Sequence, residues 1–162
     1  MSTNKKELFI RVIENNKNKL FGICLKYTND SDKAKDLFQE VSIQIWKSLD
    51  KFEGRSSIDT WIYRICINVC NKQIELMKKR KNISFEIVDK YVSIENKDET
   101  DYSDLYSCIN TLSMVEKSII TLHLQEIKYR EIAEIIGITE NHVAVNIKRI
   151  KNKLLTCLKS KS

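Results

Sequence analysis

Trp61, Tyr63 and Arg64 fall within one turn of the segment IDTWIYRICINVCNKQIELMKKRK, directly after the short loop KFEGRSS, which holds one of the chain's three glycines. Aromatic rings beside a glycine-bearing loop, backed by cations, suit an unstacked nucleic-acid base with its phosphates. The same segment ends in the basic run KKRK at residues 78–81. A helical core also uses Trp and Tyr, so this stretch alone leaves open both a base-binding surface and a packed interior. A second informative stretch, YREIAEIIGITENHVAVNIKRIKNK, covers residues 129–153. An apolar stripe there (Ile132, Ala133, Ile136) ends at Gly137, whose missing Cβ permits a tight helix exit. Thr139 follows as an N-cap, with Ile138 and Val143 spaced as a hydrophobic staple. Helix, glycine turn and capped helix with cations towards its end is helix-turn-helix grammar.

Catalytic groupings are not evident. No Ser/His/Asp or Cys/His set recurs, no phosphate-cradling glycine loop exists, and Asp36 and Glu40 lack a matching metal-ligand set. His142 could donate to a base or a phosphate, or could simply be exposed; His123 lies inside an apolar segment and reads as structural. Asp36, Gln39 and Glu40 stand beside the apolar Ile43 and Trp46 at helical spacing. That pattern fits a solvated helix face or a partner-docking surface.

The elements that must position these residues are helices. With no proline and only three glycines, breakers are scarce. Leu8, Val12, Leu20, Ile23 and Tyr27 predict a helix over 7–28. The run Thr28-Asn29-Asp30-Ser31-Asp32 starts a second, with Leu37, Val41, Ile45 and Leu49 buried. After the break at 51–57, a third helix runs over 58–81 with Ile58, Ile62, Ile65 and Val69 inward. Periodicity fails over 82–104. Leu105, Ile109 and Leu112 then reopen the pattern, Ser113 and Glu116 have capping-box spacing, and Ile119, Ile120, Leu122 and Leu124 continue as a buried helix.

Charge divides the chain in the same places. Residues 1–82 hold 17 Lys/Arg against 10 Asp/Glu, residues 83–104 hold 2 against 7, and residues 105–162 hold 9 against 5. Two basic segments around an acidic one fit two nucleic-acid-facing modules and a linker, although solvated helix faces would give similar sums. No apolar run approaches the ~20 residues of a membrane span, and the N-terminal residues lack a signal-peptide stretch, so a cytoplasmic protein without membrane insertion is expected. The five cysteines (Cys24, Cys66, Cys70, Cys108, Cys157) are read as reduced thiols, mostly small core residues. Only Cys66 and Cys70 are close in sequence, with no histidine near, so neither a metal site nor a cofactor is expected.

The order of these pieces resembles the extracytoplasmic-function (ECF) sigma factors of the sigma-70 family, the minimal bacterial transcription initiation factors. DLFQEVSIQIWKSLDKFEGRSSIDTWIYRICINVCNKQIELMKKRK looks like that family's first conserved domain, and LSMVEKSIITLHLQEIKYREIAEIIGITENHVAVNIKRIKNKL like its C-terminal domain. The resemblance implies an all-α fold of two small helical domains, an N-terminal bundle (1–82) and a C-terminal helix-turn-helix domain (105–162), joined by an acidic linker (83–104). It implies core RNA polymerase and promoter DNA as partners, no catalysis, and an anti-sigma factor, often membrane-bound, as a further partner.

By the same resemblance, Asp36, Gln39, Glu40, Ile43 and Trp46 dock on the polymerase clamp helices. Phe52, Glu53, Gly54, Arg55, Ser56 and Ser57 fall where the family captures a flipped −10 base, and Thr60, Trp61, Arg64 and Asn68 on the helix that holds the opened strand. Tyr129, Arg130, Thr139, Glu140, Asn141, His142, Val145, Asn146, Lys148 and Arg149 fall on the −35 reader. Three positions depart from the family: Ser113 replaces a common Pro, and Ala144 and Asn146 replace a Lys and an Arg of the recognition helix. Fewer base-reading cations shift specificity more than affinity, because phosphate contacts position while base contacts specify. The alternative is a dimeric helix-turn-helix regulator that acts without docking on polymerase.

Overall fold

The computed structural model describes residues 2–81 and 103–161. The described residues are helical, without strands, and fall into two compact units, 1–70 and 71–162.

The first unit opens with α1 (Ser2–Thr28) and α2 (Ser31–Ser48). Between them Asn29 takes a left-handed conformation (φ 54°), a geometry that Asn tolerates better than most residues. Asp30 then caps α2, its carboxylate accepting from the amides of Asp32 (2.8 Å) and Lys33 (3.1 Å). A 3₁₀ turn, Leu49–Lys51, closes α2, and α3 (Ile58–Lys81) follows the loop. The division between the units falls within α3.

Val12, Leu20, Ile23 and Tyr27 of α1 are buried with Leu37, Val41, Ile45 and Leu49, the face expected of the second helix. At about 1.5–3 kcal/mol for each fully buried large aliphatic side chain, these residues supply most of the drive for packing the unit. On α3 the buried face differs from the expected one. Ile62 is buried, but its companions are Tyr63, Cys66, Ile67 and Cys70; Ile58, Ile65 and Val69 are only half-buried. Apolar residues lie almost all round this helix, so periodicity fits two faces. The choice between them is fixed by a polar contact: the Tyr63 hydroxyl donates to Oδ1 of Asn16, a buried residue of α1. Asn16 in turn donates to the Val12 carbonyl (2.9 Å) and to Asp59 (3.0 Å), so its buried amide is satisfied.

The second unit contains α4 (Ser103–Ile109), α5 (Met114–Leu124), α6 (Tyr129–Ile136) and α7 (Glu140–Ser160). Cys108, Ile109, Ile119, Ile120, Leu122, Ile132, Ala133, Ile135, Val143, Ile147, Ile150 and Leu154 form its core. Leu124, expected inside, is exposed because α5 ends there. Its exit turn uses Glu126 at positive φ (62°), a non-glycine solution that composition did not signal. The Ser113 capping box is formed as expected, with Glu116 accepting from Ser113 N (3.2 Å) and Ser113 Oγ from Glu116 N (3.2 Å). Lys153 of α7 adds an ion pair to Glu116 (2.6 Å), and this contact, followed by the capping bonds, holds the Glu116 carboxyl below its usual range. The acidic linker expected over 83–104 lies outside the described residues, except that Ser103 and Asp104 open α4.

Candidate functional site

On α2 the residues expected to dock on a partner form one continuous strip. Asp36, Gln39, Glu40, Ile43 and Trp46 recur at helical spacing and are all exposed, opposite the face made by Leu37, Val41 and Ile45. Ile43 is 48% exposed and Trp46 38%, large apolar surfaces for a helix otherwise polar on this side. Trp46 is also held in place. Phe9 of α1 meets its ring edge-on at 5.2 Å, and the Lys5 ammonium lies 4.3 Å from its centroid while pairing with Asp50 (2.9 Å). Sequence reasoning missed Lys5 and Phe9, because nothing in their spacing marks a contact with a residue about forty positions away.

The loop after α2 is shaped by Gly54, which adopts φ 76°; a Cβ there would touch nothing within 4 Å, so the requirement is conformational. Glu53 and Arg55 flank it as an exposed ion pair (3.1 Å), a contact of little weight at such exposure. Ser57 caps α3, its Oγ accepting from Thr60 N at 3.1 Å and donating to Thr60 Oγ1 at 2.9 Å.

Thr60 itself is 1% exposed. The expectation that it contacts a DNA strand is therefore corrected: its hydroxyl is spent on Ser57, and it shapes the loop rather than facing outward. The other three residues of that set do share a face. Trp61, Arg64 and Asn68 lie along the side of α3 opposite Ile62, Cys66 and Cys70, half-buried, half-buried and exposed in turn. The Phe52 ring packs on Trp61 at 5.1 Å, tilted by 53°. Loop and helix thus meet in an aromatic pair, and Ser56 of the same loop is half-buried.

In the second unit the helix-turn-helix is complete. Gly137 ends α6 in the left-handed region (φ 87°), its amide bonding the Ala133 carbonyl at 2.8 Å and the Ile138 amide bonding the same carbonyl at 3.1 Å. Thr139 caps α7 through the His142 amide (3.1 Å). Val143, Ile147, Ile150 and Leu154 face inward. Thr139, Glu140, Asn141, His142, Val145, Lys148 and Arg149 are exposed, as is Arg130 at the start of α6. Tyr129 is half-buried against the His123 ring (5.6 Å), and burial lowers the pKa of that histidine, in keeping with its structural reading. Asn146 differs from its neighbours. Its side-chain amide donates to the His142 carbonyl (2.9 Å) of its own helix, so its hydrogen-bonding capacity is partly used internally.

The cysteines depart most from expectation. Cys108 and Cys157 form a disulfide between α4 and α7, so the reading of five free thiols is corrected. The two lie 49 residues apart in sequence, and only the packing of α4 against α7 brings them together. The other three lie outside this disulfide and are buried. Cys24, from α1, joins Cys66 and Cys70, a proximity that sequence spacing concealed.

A bridge closing a loop of this length stabilises by roughly 2–4 kcal/mol, mainly through the unfolded chain. Reduction should lower the stability of residues 103–161 by that amount, read as a fall in urea midpoint with dithiothreitol. The Cys108→Ser protein should show no such response. Equal midpoints with and without reductant in the unsubstituted chain would refute the bridge.

Two helical units, one ending in a capped helix-turn-helix and the other carrying an aromatic–cation face, define a helical DNA-binding regulator. Sigma-70 region 2 matches residues 12–80 and Sigma-70, region 4 matches residues 102–154. The RNA polymerase sigma factor SigV of Bacillus subtilis is 26% identical over 148 residues, covering 89% of this chain and 87% of its own. The ECF RNA polymerase sigma-E factor of Haemophilus influenzae is 27% identical over 168 residues, covering 92% and 88%. In fold, the chain is similar to the sigma factor RpoE of Bartonella quintana, solved in complex with the anti-sigma factor NepR, with a TM-score of 0.63 at 24% identity and 98% of each chain covered. The chain belongs to the sigma-70 family, in its extracytoplasmic-function group. It is a sigma factor: it associates with core RNA polymerase and directs promoter recognition for transcription initiation.

Proposed function

We propose that this sigma factor divides its work between residues 1–82, which dock on polymerase and capture the −10 element, and residues 105–162, which read the −35 element, with 83–104 as connector. The observation that carries this division is the separation of surfaces within the first unit: the α2 strip presents Ile43 and Trp46 for protein docking, while α3 presents Trp61, Arg64 and Asn68 beside the Phe52 loop. Apolar surface rimmed by fixed polar groups suits a protein partner. Aromatic and cationic side chains beside a glycine turn suit an extruded base. Capture of unstacked bases then offsets the few kcal/mol per step that unstacking costs.

In the second unit, Asn141, His142 and Val145 lie on the exposed side of α7 available to base edges, and Lys148, Arg149 and Arg130 bind phosphates. With Ala144 half-buried and Asn146 turned onto its own helix, the −35 sequence read differs from that of relatives carrying Lys and Arg there. The protein performs no catalysis of its own and acts in the cytoplasm, where polymerase and genomic DNA are. An anti-sigma factor regulates it; the similar RpoE fold was solved in complex with the anti-sigma factor NepR. Run-off transcription on fragmented genomic DNA, with and without this protein added to core polymerase, tests the reading. New transcripts should appear that share two upstream motifs at a fixed spacing. Unchanged transcripts, together with tight binding of the protein alone to palindromic duplex DNA, would favour a dimeric regulator instead.

A further inference from the structure

Cys24, Cys66 and Cys70 play no part in docking or DNA binding, yet their sulfurs lie within 4.8 Å of one another in the interior of the first unit. All three side chains are fully buried. Cys66 and Cys70 are one turn apart on the inward face of α3, and Cys24 approaches from α1. A simple core would be served by Ala or Val at these positions. Here three polarizable sulfurs converge instead, and two are spaced so that one helix supplies a pair of ligands to one point.

We propose that Cys24, Cys66 and Cys70 form a three-sulfur site for one thiophilic cation of the Cu(I) class. Geometry supports it: metal–sulfur bonds of ~2.3 Å in a three-coordinate site place the sulfurs roughly 4.0 Å apart, so a contraction of less than about 1 Å would close the site. The donor set selects the ion. All-sulfur sites favour Cu(I) and zinc over harder cations. Zinc in closed structural sites almost always takes four ligands, and among the described residues no histidine or carboxylate joins the three cysteines. Full burial also denies a water ligand. A three-coordinate ion needs neither.

On binding, Cu–S bonds replace S–H bonds, up to three protons leave to solvent and no electron is transferred, so affinity rises with pH. The bound ion ties α1 to α3 on the side of α3 opposite Trp61, Arg64 and Asn68.

The test uses the full-length protein, reduced and anaerobic, titrated with Cu(I) against bicinchoninate and examined by X-ray absorption. The expected result is one copper per chain with three sulfur neighbours at ~2.3 Å. Cys108 and Cys157 supply only two thiols when reduced, so a shell of three identifies the core cluster. Cys24→Ala should leave two sulfurs and weaken binding at least 100-fold, with helicity by circular dichroism retained. A two-sulfur shell in the unsubstituted protein would overturn the proposal, as would undiminished affinity in a folded Cys24→Ala. If that variant does not fold, the sulfur count in the unsubstituted protein decides alone.

Discussion

Asp36→Arg combined with Gln39→Ala is expected to abolish comigration of this sigma factor with core RNA polymerase, a loss of at least 100-fold in affinity. Both residues are exposed on the α2 strip, and neither contributes to the packing of Leu37, Val41 and Ile45 on the other side of the helix. The substitutions also favour the helix, since Arg and Ala have higher helical propensity than Asp and Gln. A loss of binding would therefore come from the interface and not from unfolding. Its size follows from where the residues lie. They adjoin Ile43 and Trp46, the large apolar side chains exposed on this strip, and truncations at the centre of such a patch cost about 2–4 kcal/mol each. Reversing the Asp36 charge adds a mismatch with whatever donor the partner presents, and like-charge juxtaposition costs several kcal/mol more. Size-exclusion chromatography with core polymerase, alongside Glu14→Arg as an exposed charge reversal on α1, is the measurement. Undiminished comigration of the double variant would show that the α2 strip is not the docking surface.

What the sequence made legible, and what it concealed, divides by range. Interactions within a few residues were readable: the Asp30 cap, the Ser113 capping box, the Gly137 exit and the Thr139 cap all depend on fixed short offsets, and all are formed. Helix faces were readable where polar residues interrupted the apolar pattern, as on α2. On α3, where apolar residues run nearly all round, periodicity had two solutions, and the distant Asn16 chose between them. Other long-range pairings left no trace in spacing: Lys5 and Phe9 on Trp46, Cys24 with Cys66 and Cys70, and the disulfide from α4 to α7. The candidate site behaves in the same way. Its residue types and helical register were visible, but Thr60 looked like a surface residue because Thr is compatible with either side of a helix. Only the Ser57 hydroxyl against it shows why it points inward.

Trp61→Ala should leave binding to core polymerase intact and reduce promoter opening roughly 5- to 150-fold, the loss that removing one base–aromatic stack of about 1–3 kcal/mol implies. The contact between Phe52 and Trp61 makes this a demanding test. In the free protein the two rings cover each other's faces in part, so a captured base must either stack on the remaining face of Trp61 or displace Phe52. In the first case Trp61→Phe, which keeps an aromatic surface, should restore most of the opening. In the second, Phe52→Ala should ease entry of the base and raise the opening rate while lowering the stability of the loop. Permanganate reactivity of thymines in the −10 region reads the melted strand directly, and comigration with polymerase reports docking separately. Normal opening by Trp61→Ala would remove the ring from the mechanism and leave capture to Gly54 and its neighbours. Loss of both opening and docking would instead mean that α2 and α3 cannot be altered independently. Since Trp61 and Trp46 lie on separate helices and neither ring packs on the other's partner, the expected outcome is a clean division between the two functions.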